Sequence, residues 1–376
     1  MKTEEYIKEH INELHELIEA LVKIPSPSHF EDNKAKFVKK WLEDAGAEGV
    51  YIDDAKNCVF PINCEKDDIV VFEAHTDTVF PDLTPFEMKK CGNRFCAPGI
   101  GDDITCLAIM LLTVKYILQE KLVPNCGILF VANSCEEGLG NLDGTRMIMK
   151  TYGEKIRRFY TFDGVYDYLI DRCVGSHRYE VTVKTKGGHS YNAFGSTNAI
   201  AELSKLIASI YKIEVPKKEG TKTTYNVGVI EGGTSVNTIA QNAKMLFEYR
   251  SDDAECIEIM QKKFEDLIEK ANEAEDAEFS VKPVGIRPCG NIKDRKTMDE
   301  MTAHAISVCE KITGIPCKRV SGSTDCNIPA SLGIPSLCIG TFSGSGAHTR
   351  EEYIEVDSLP AGMKISFEII LKYFGI

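Results

Sequence analysis

The sequence predicts an α/β fold: a largely parallel mixed sheet flanked by helices, with an inserted ferredoxin-like α+β domain. Three observations predict it. Residues 69–72, 128–131, 159–162 and 334–339 are short apolar runs without polar alternation, as suits strands buried on both faces of a parallel sheet. Segments with helical apolar spacing alternate with these runs, which is the pattern of helices layered on such a sheet. From Arg178 the pattern changes, with Tyr179, Val181 and Val183 alternating with polar residues, as suits an antiparallel sheet with one open face.

Tyr6, Ile7, Ile11, Leu14, Leu17, Ile18, Leu21 and Val22 share one face of a first helix, which Pro25 and Pro27 terminate. Residues 32–45 give a second amphipathic helix, and Gly46 leads to a strand near Val50. A buried strand then ends at His75. Residues 103–119 form a helix with Ile104, Leu107, Ala108, Leu111, Val114 and Leu118 on one face.

Composition changes near Gly175. A strand from Arg178 leads to the Gly187-Gly188 turn, a helix over 198–211, strands over 223–230 and 244–250, a helix over 254–274 and a strand over 278–284. Strand-helix-strand-strand-helix-strand is the split βαβ order. Residues 176–286 are therefore expected as a domain inserted between 1–175 and 287–376. In that last part, a helix over 298–312, strands near 318–320 and 335–339, and a helix over 359–374 complete the first domain.

The buried runs lead straight into chemistry. His75-Thr76-Asp77 follows the first, Glu136-Glu137 the second, Asp163 the third and His348 the fourth. Ligands of such sheets gather beyond the carboxyl ends of the strands. Period-two geometry places His75 and Asp77 on one side of an extended chain, so that Asp77 can orient the imidazole while its other nitrogen meets a metal. Gly99-Ile100-Gly101-Asp102-Asp103 reads either as a helix cap or as a tight turn bringing Asp102 between two cations. Adjacent carboxylates after a buried strand repel each other unless a cation is near. With Glu137 on a metal, Glu136 is available as general base. Two histidines, a shared Asp102 and two further carboxylates supply two divalent ions. That donor set suits zinc, and cobalt or manganese would also fit.

The formal charge of -13 offers no basic face for nucleic acid. No apolar run is long enough for a membrane span, and the charged first residues give no signal-peptide core. A cytoplasmic location follows as an expectation. The 14 cysteines are scattered and read as reduced thiols. Cys135 has acidic neighbours that disfavour its thiolate.

His75-Thr76-Asp77, Asp102-Asp103, Glu136-Glu137-Gly138-Leu139-Gly140, Asp163, Gly187-Gly188-His189-Ser190, Gly232-Gly233 with Asn237 and Ile239, and Ala347-His348-Thr349 with Glu352 resemble the dinuclear zinc exopeptidases and amidohydrolases. That family includes peptidase T, glutamate carboxypeptidase, aminoacylase, acetylornithine deacetylase and succinyl-diaminopimelate desuccinylase. The resemblance implies one metal on His75, Asp102 and Asp163 and another on Asp102, Glu137 and His348, with Glu136 as base and Asp77 behind His75. It implies that the inserted domain is a lid that pairs in a homodimer, that His189 reaches the substrate carbonyl, often in the partner's site, and that Asn237 and Arg250 bind substrate. Many relatives carry Lys two places after the bridging Asp, where this chain has Ile104.

The expected reaction is amide hydrolysis in a short peptide, peptidase T-like or carboxypeptidase-like, because Asp163 occupies a position where deacylases often carry Glu. An N-acyl-amino-acid deacylase uses the same centre. A binding protein that had lost catalysis would show gaps in the ligand or base set, and the sequence has none.

Overall fold

A computed structural model of the chain describes residues 2–376. It divides into two compact units, Met1–Cys173 with Asn291–Ile376, and Val174–Gly290.

The first unit is built on an eight-stranded sheet in the order Tyr51–Ile52, Cys58–Ile62, Gly127–Asn133, Ile69–His75, Ile156–Phe162, Ser336–Ile339, Tyr168–Cys173, Lys318–Gly322. The four central strands run parallel. Their apolar runs are buried as the lack of alternation predicts, with every residue of Ile69–His75 and Gly127–Asn133 in the interior. In register, His75 lies opposite Asn133 and Phe162 opposite Ile339. The carboxyl ends of all four strands therefore reach one edge, and the loops that leave it carry the acids and imidazoles.

Helices Cys106–Gln119 and Arg295–Thr313 pack onto this sheet, and Leu359–Leu371 packs against both of them and against Lys2–Val22. Cys106–Gln119 was expected to be one-faced, but Ile109, Met110, Leu112 and Thr113 are buried as well. The helix is enclosed by the sheet and by its two neighbouring helices, which is where an apolar-all-round helix belongs. Its regular part also starts at Cys106 rather than at 103. Asp102 and Asp103 have non-helical backbone angles, and both carboxylates are engaged elsewhere.

Several elements escaped the sequence reading, among them the strand Cys58–Ile62 and two more. Tyr168–Cys173 pairs with Lys318–Gly322 and antiparallel to Ser336–Ile339, and Asp143–Tyr152 is a helix. A small antiparallel sheet, Gly344–Ser345, Tyr353–Glu355, Arg94–Cys96 and Lys89–Cys91, holds the loop that carries His348.

The second unit has the strand-helix-strand-strand-helix-strand order. Its sheet is antiparallel throughout, in the order Thr223–Gly232, Asn242–Ser251, Gly175–Thr185, Ala277–Arg287. Val181, Val183, Met245, Phe247 and Tyr249 face helices Ala199–Ile210 and Ala254–Ala271. Asn198 and Asp253 cap those helices through their side-chain oxygens, each worth about 1 kcal/mol. Among the described residues, no helix is long and apolar enough to cross a membrane.

Candidate metal centre

The centre is assembled on Asp102. Its Oδ1 lies 2.9 Å from His75 Nε2 and its Oδ2 3.1 Å from His348 Nε2. Around it, ligand atoms of His75, Asp102 and Asp163 lie within 4.8 Å of one another, as do those of Asp102, Glu137 and His348, and those of His75, Glu136 and Glu137. All five sequence-predicted ligands and the predicted base thus converge.

Local structure explains how they do so. His75 ends its strand, and its backbone N–H donates to Asp103 Oδ2 at 3.0 Å. The turn before Asp102 relies on glycine: Gly99 sits at φ 72, and a Cβ on Gly101 would meet Phe342 Cζ at 2.7 Å and Glu352 Oε1 at 2.9 Å. Glu352 accepts N–H bonds from Gly99, Gly101 and Asp102 at 2.6, 2.8 and 2.8 Å. His348 is swung into the centre by a left-handed backbone, φ 64.

Asp77 is buried beneath. His75 Nδ1 lies 3.5 Å from its Oδ1 and 3.1 Å from its backbone oxygen. The same carboxylate accepts the backbone N–H groups of Glu136 and Glu137, at 3.0 and 2.9 Å, and the Ser28 hydroxyl at 2.6 Å. The Pro-Ser-Pro-Ser segment is held there because the Ser26 hydroxyl donates to the Thr76 carbonyl and the Ser26 carbonyl accepts the Thr78 N–H.

The electrostatics are those of a site built for cations. Burial alone would raise every carboxyl here. It does so for Asp163, pushed up to about 7 by burial and then by the Asp102 charge, and for Glu137, raised by the same two causes. Asp102 goes the other way, because contacts with His348 and His75 outweigh its burial. Asp77 is also held low: against its burial stand His75, Ser28 and the Glu137 N–H. His348 is raised to about 10 by Asp102 and Glu137. Burial disfavours a charged His75, yet Asp102 and Asp77 hold it well above the ordinary value. Glu137 Oε1 is buried without a hydrogen-bond partner, although His348 Nε2 lies 3.3 Å away. An orphaned carboxylate oxygen beside a shared Asp102 matches a pair of divalent ions in its donor set.

Ser28, Asp103 and Glu352 were not assigned roles from the sequence, although Ser28 and Glu352 lie in segments that carried the resemblance. The thiol of Cys135 touches Glu31 and His29, and burial with the Glu31 and Asp77 charges pushes it upward, as expected of an inert thiol.

The other predicted residues lie in the second unit. His189 is exposed and pairs in register with Thr238, and Ser190 N–H donates to Asn237 O at 2.9 Å. His189 and Asn237 are therefore neighbours. Arg250 is not with them: it lies 3.2 Å from Glu248, eight residues along Asn242–Ser251 from the end nearest His189. That is about 25 Å of extended strand.

Residues 71–372 match the profile of Peptidase family M20/M25/M40. The chain is 23% identical to a succinyl-diaminopimelate desuccinylase of Nitrosospira multiformis, over 96% of this chain and 99% of the relative. It resembles the crystal structure of aminopeptidase PepT from Bacillus cereus, with a TM-score of 0.75 and 23% identity over 97% of this chain and 99% of that one. It also resembles a metallo-carboxypeptidase from Sulfolobus solfataricus, with a TM-score of 0.77 and 18% identity over 97% and 99%.

Proposed function

Because the chain belongs to Peptidase family M20/M25/M40 and is accordingly a metal-dependent hydrolase, we propose that it cleaves the amide bond of short peptides in the manner of peptidase T. The observation that carries this reading is Asp102, whose two oxygens each face an imidazole Nε2 while Asp163 and Glu137 flank the pair. His75, Asp102 and Asp163 would hold one ion, and Asp102, Glu137 and His348 the other, with zinc the best match to these donors. Two bound cations would polarise the scissile carbonyl and lower the pKa of a water.

The chain's own residues do the rest. Glu136 takes the proton of the attacking water and passes it to the leaving amine. Asp77 keeps Glu136 in place through its backbone N–H and fixes the orientation of His75. His189 donates to the carbonyl oxygen as charge builds on it, Asn237 assists beside it, and Arg250 grips a substrate carboxylate. His189 lies in a two-stranded ladder with Thr238–Ile239 and Arg250 near the far end of Asn242–Ser251 in the four-stranded sheet, too far apart for a single short peptide. Their separation supports a homodimer in which one subunit lends His189 to the other's substrate.

The aminopeptidase likeness and Asp163 favour a peptidase, and the desuccinylase relative keeps N-acyl-amino-acid deacylation as the rival. Protein loaded with zinc, cobalt or manganese, assayed on free and end-blocked di- and tripeptides beside N-acetyl and N-succinyl amino acids, decides between them. Turnover confined to the acyl amino acids would overturn the peptidase reading.

A further inference from the structure

Of the five proposed ligands, His348 is the exposed one. Its side chain is 58% open to solvent, against 5% for Glu137 and 1% for His75. Its backbone is left-handed, at φ 64, a conformation that a residue other than glycine keeps only where its surroundings hold it. Core packing therefore does not place this imidazole, and its loop has to be held from outside.

That loop is closed at its base, where Gly344–Ser345 pairs with Tyr353–Glu355 and the Glu352 carboxylate takes the N–H groups of the Asp102 turn. Residues 347–351 beyond the base are all exposed. Thr349 folds the tip on itself, its N–H and hydroxyl both donating to the Gly346 carbonyl, at 2.9 and 2.7 Å. Arg350 ties the tip to the body of the unit. Its Nη2 donates to Asp82 Oδ2 at 2.8 Å, and its guanidinium lies 5.4 Å from the Phe80 ring centre and 5.8 Å from that of Phe86. The two rings meet edge to face at 5.9 Å and 82°, and Phe80 is buried, so the cation rests on a fixed seat. Phe80, Asp82 and Phe86 belong to the segment that leaves Asp77. The contact thus spans 268 residues and joins the strand end that presents His75 to the loop that presents His348.

An exposed ion pair alone contributes little. A planar guanidinium stacked on two aromatic rings adds a contact that lysine would not reproduce, and pair and stack together correspond to about tenfold in an equilibrium constant. We propose that Arg350 is a positioning residue: through Asp82, Phe80 and Phe86 it holds His348 against Asp102 and Glu137, and so sets the affinity of the cation that those three ligands would share. The inference rests on the reading of His348 as a ligand given above.

The test is zinc binding, read by competition with a chromophoric chelator, on wild type, Arg350→Ala, Arg350→Lys, Asp82→Asn and His348→Ala. Wild type should take up two ions, and His348→Ala identifies which of them depends on His348. That ion should bind about tenfold more weakly in Arg350→Ala and about fivefold more weakly in Asp82→Asn, with Arg350→Lys falling between wild type and Arg350→Ala. The other ion should change by less than twofold. A fall of less than threefold in Arg350→Ala, or equal weakening of both ions as in a general loosening, overturns the proposal. Should Arg350→Ala fail to fold, Asp82→Asn decides by the same threshold. A wild type that holds one zinc, or a His348→Ala that holds both as tightly as wild type, overturns the ligand reading and the proposal with it, whereas two ions in wild type and one lost in His348→Ala keep that reading whatever Arg350 does.

Discussion

The carboxylate of Asp77 accepts the backbone N–H of Glu136 at 3.0 Å, so the group that orients His75 also fixes the residue proposed as base. Asp77→Asn keeps the shape but turns one acceptor oxygen into a donor facing the N–H groups of Glu136, Glu137 or the Ser28 hydroxyl. Metal affinity or kcat should fall about 10- to 100-fold. Metal competition assays and steady-state kinetics read the two effects separately, and values within twofold of wild type in both would mean that Asp77 only fills space.

Glu136→Gln preserves volume and removes the proton acceptor. The expected loss in kcat is about 10²- to 10⁴-fold. Metal content should stay at the wild-type value, because Glu136 is in neither proposed ligand triad. Turnover and elemental analysis on one preparation check this, and loss of metal alongside activity would recast Glu136 as a ligand.

How much of this could be read in advance depends on range. The strands at residues 69–75 and 127–133 announce themselves because they are buried on both faces, and the acids that follow need only the rule that loops leave at one edge. The strand Tyr168–Cys173 does not, since Asp171 and Arg172 interrupt its apolar residues and it is stabilised by partners far away in sequence. The roles of Ser28 and Glu352 were illegible for the same reason. Their bonds to Asp77 and to the Gly99 turn span 49 and 253 residues, and nothing local encodes them. The late helix start at Cys106 has another cause: helical spacing continues through Asp103, but its carboxylate is taken by the His75 N–H.

Lys34 gives a pH signature independent of catalysis. It is fully buried, and burial lowers its pKa to about 8, against the opposing influence of Asp77 and Glu31. Below pH 8 the ammonium is charged in both folded and unfolded chains, and its desolvation cost is present in full. Between pH 8 and 10.5 the folded protein sheds the proton first and the unfolded chain still binds it, so this contribution to stability rises with pH. Lys34→Met abolishes the term. Urea unfolding of both proteins with saturating metal should show the variant losing about 3 kcal/mol relative to wild type across that window. A pH-independent difference would place the Lys34 ammonium in contact with solvent.

The separation of His189 from Arg250 yields the last prediction. Thr223–Gly232 is an edge strand of the inserted sheet and exposes Val229 and Ile230, an unprotected apolar edge of the kind proteins ordinarily blunt. A second copy pairing there would cover it. Ile230→Asp should then convert a dimer seen by light scattering into a monomer that retains its metals. If His189 acts in the partner's site, that monomer should lose peptide hydrolysis although every metal-site residue is unchanged. Complementation makes the argument sharper. His189→Ala and Glu136→Gln each remove one function from a different place, and subunit exchange between the two inactive variants creates a dimer with one site holding both Glu136 and His189. Recovered turnover in the mixture would be expected from a shared site, whereas a mixture as inactive as its parts would confine His189 to its own subunit.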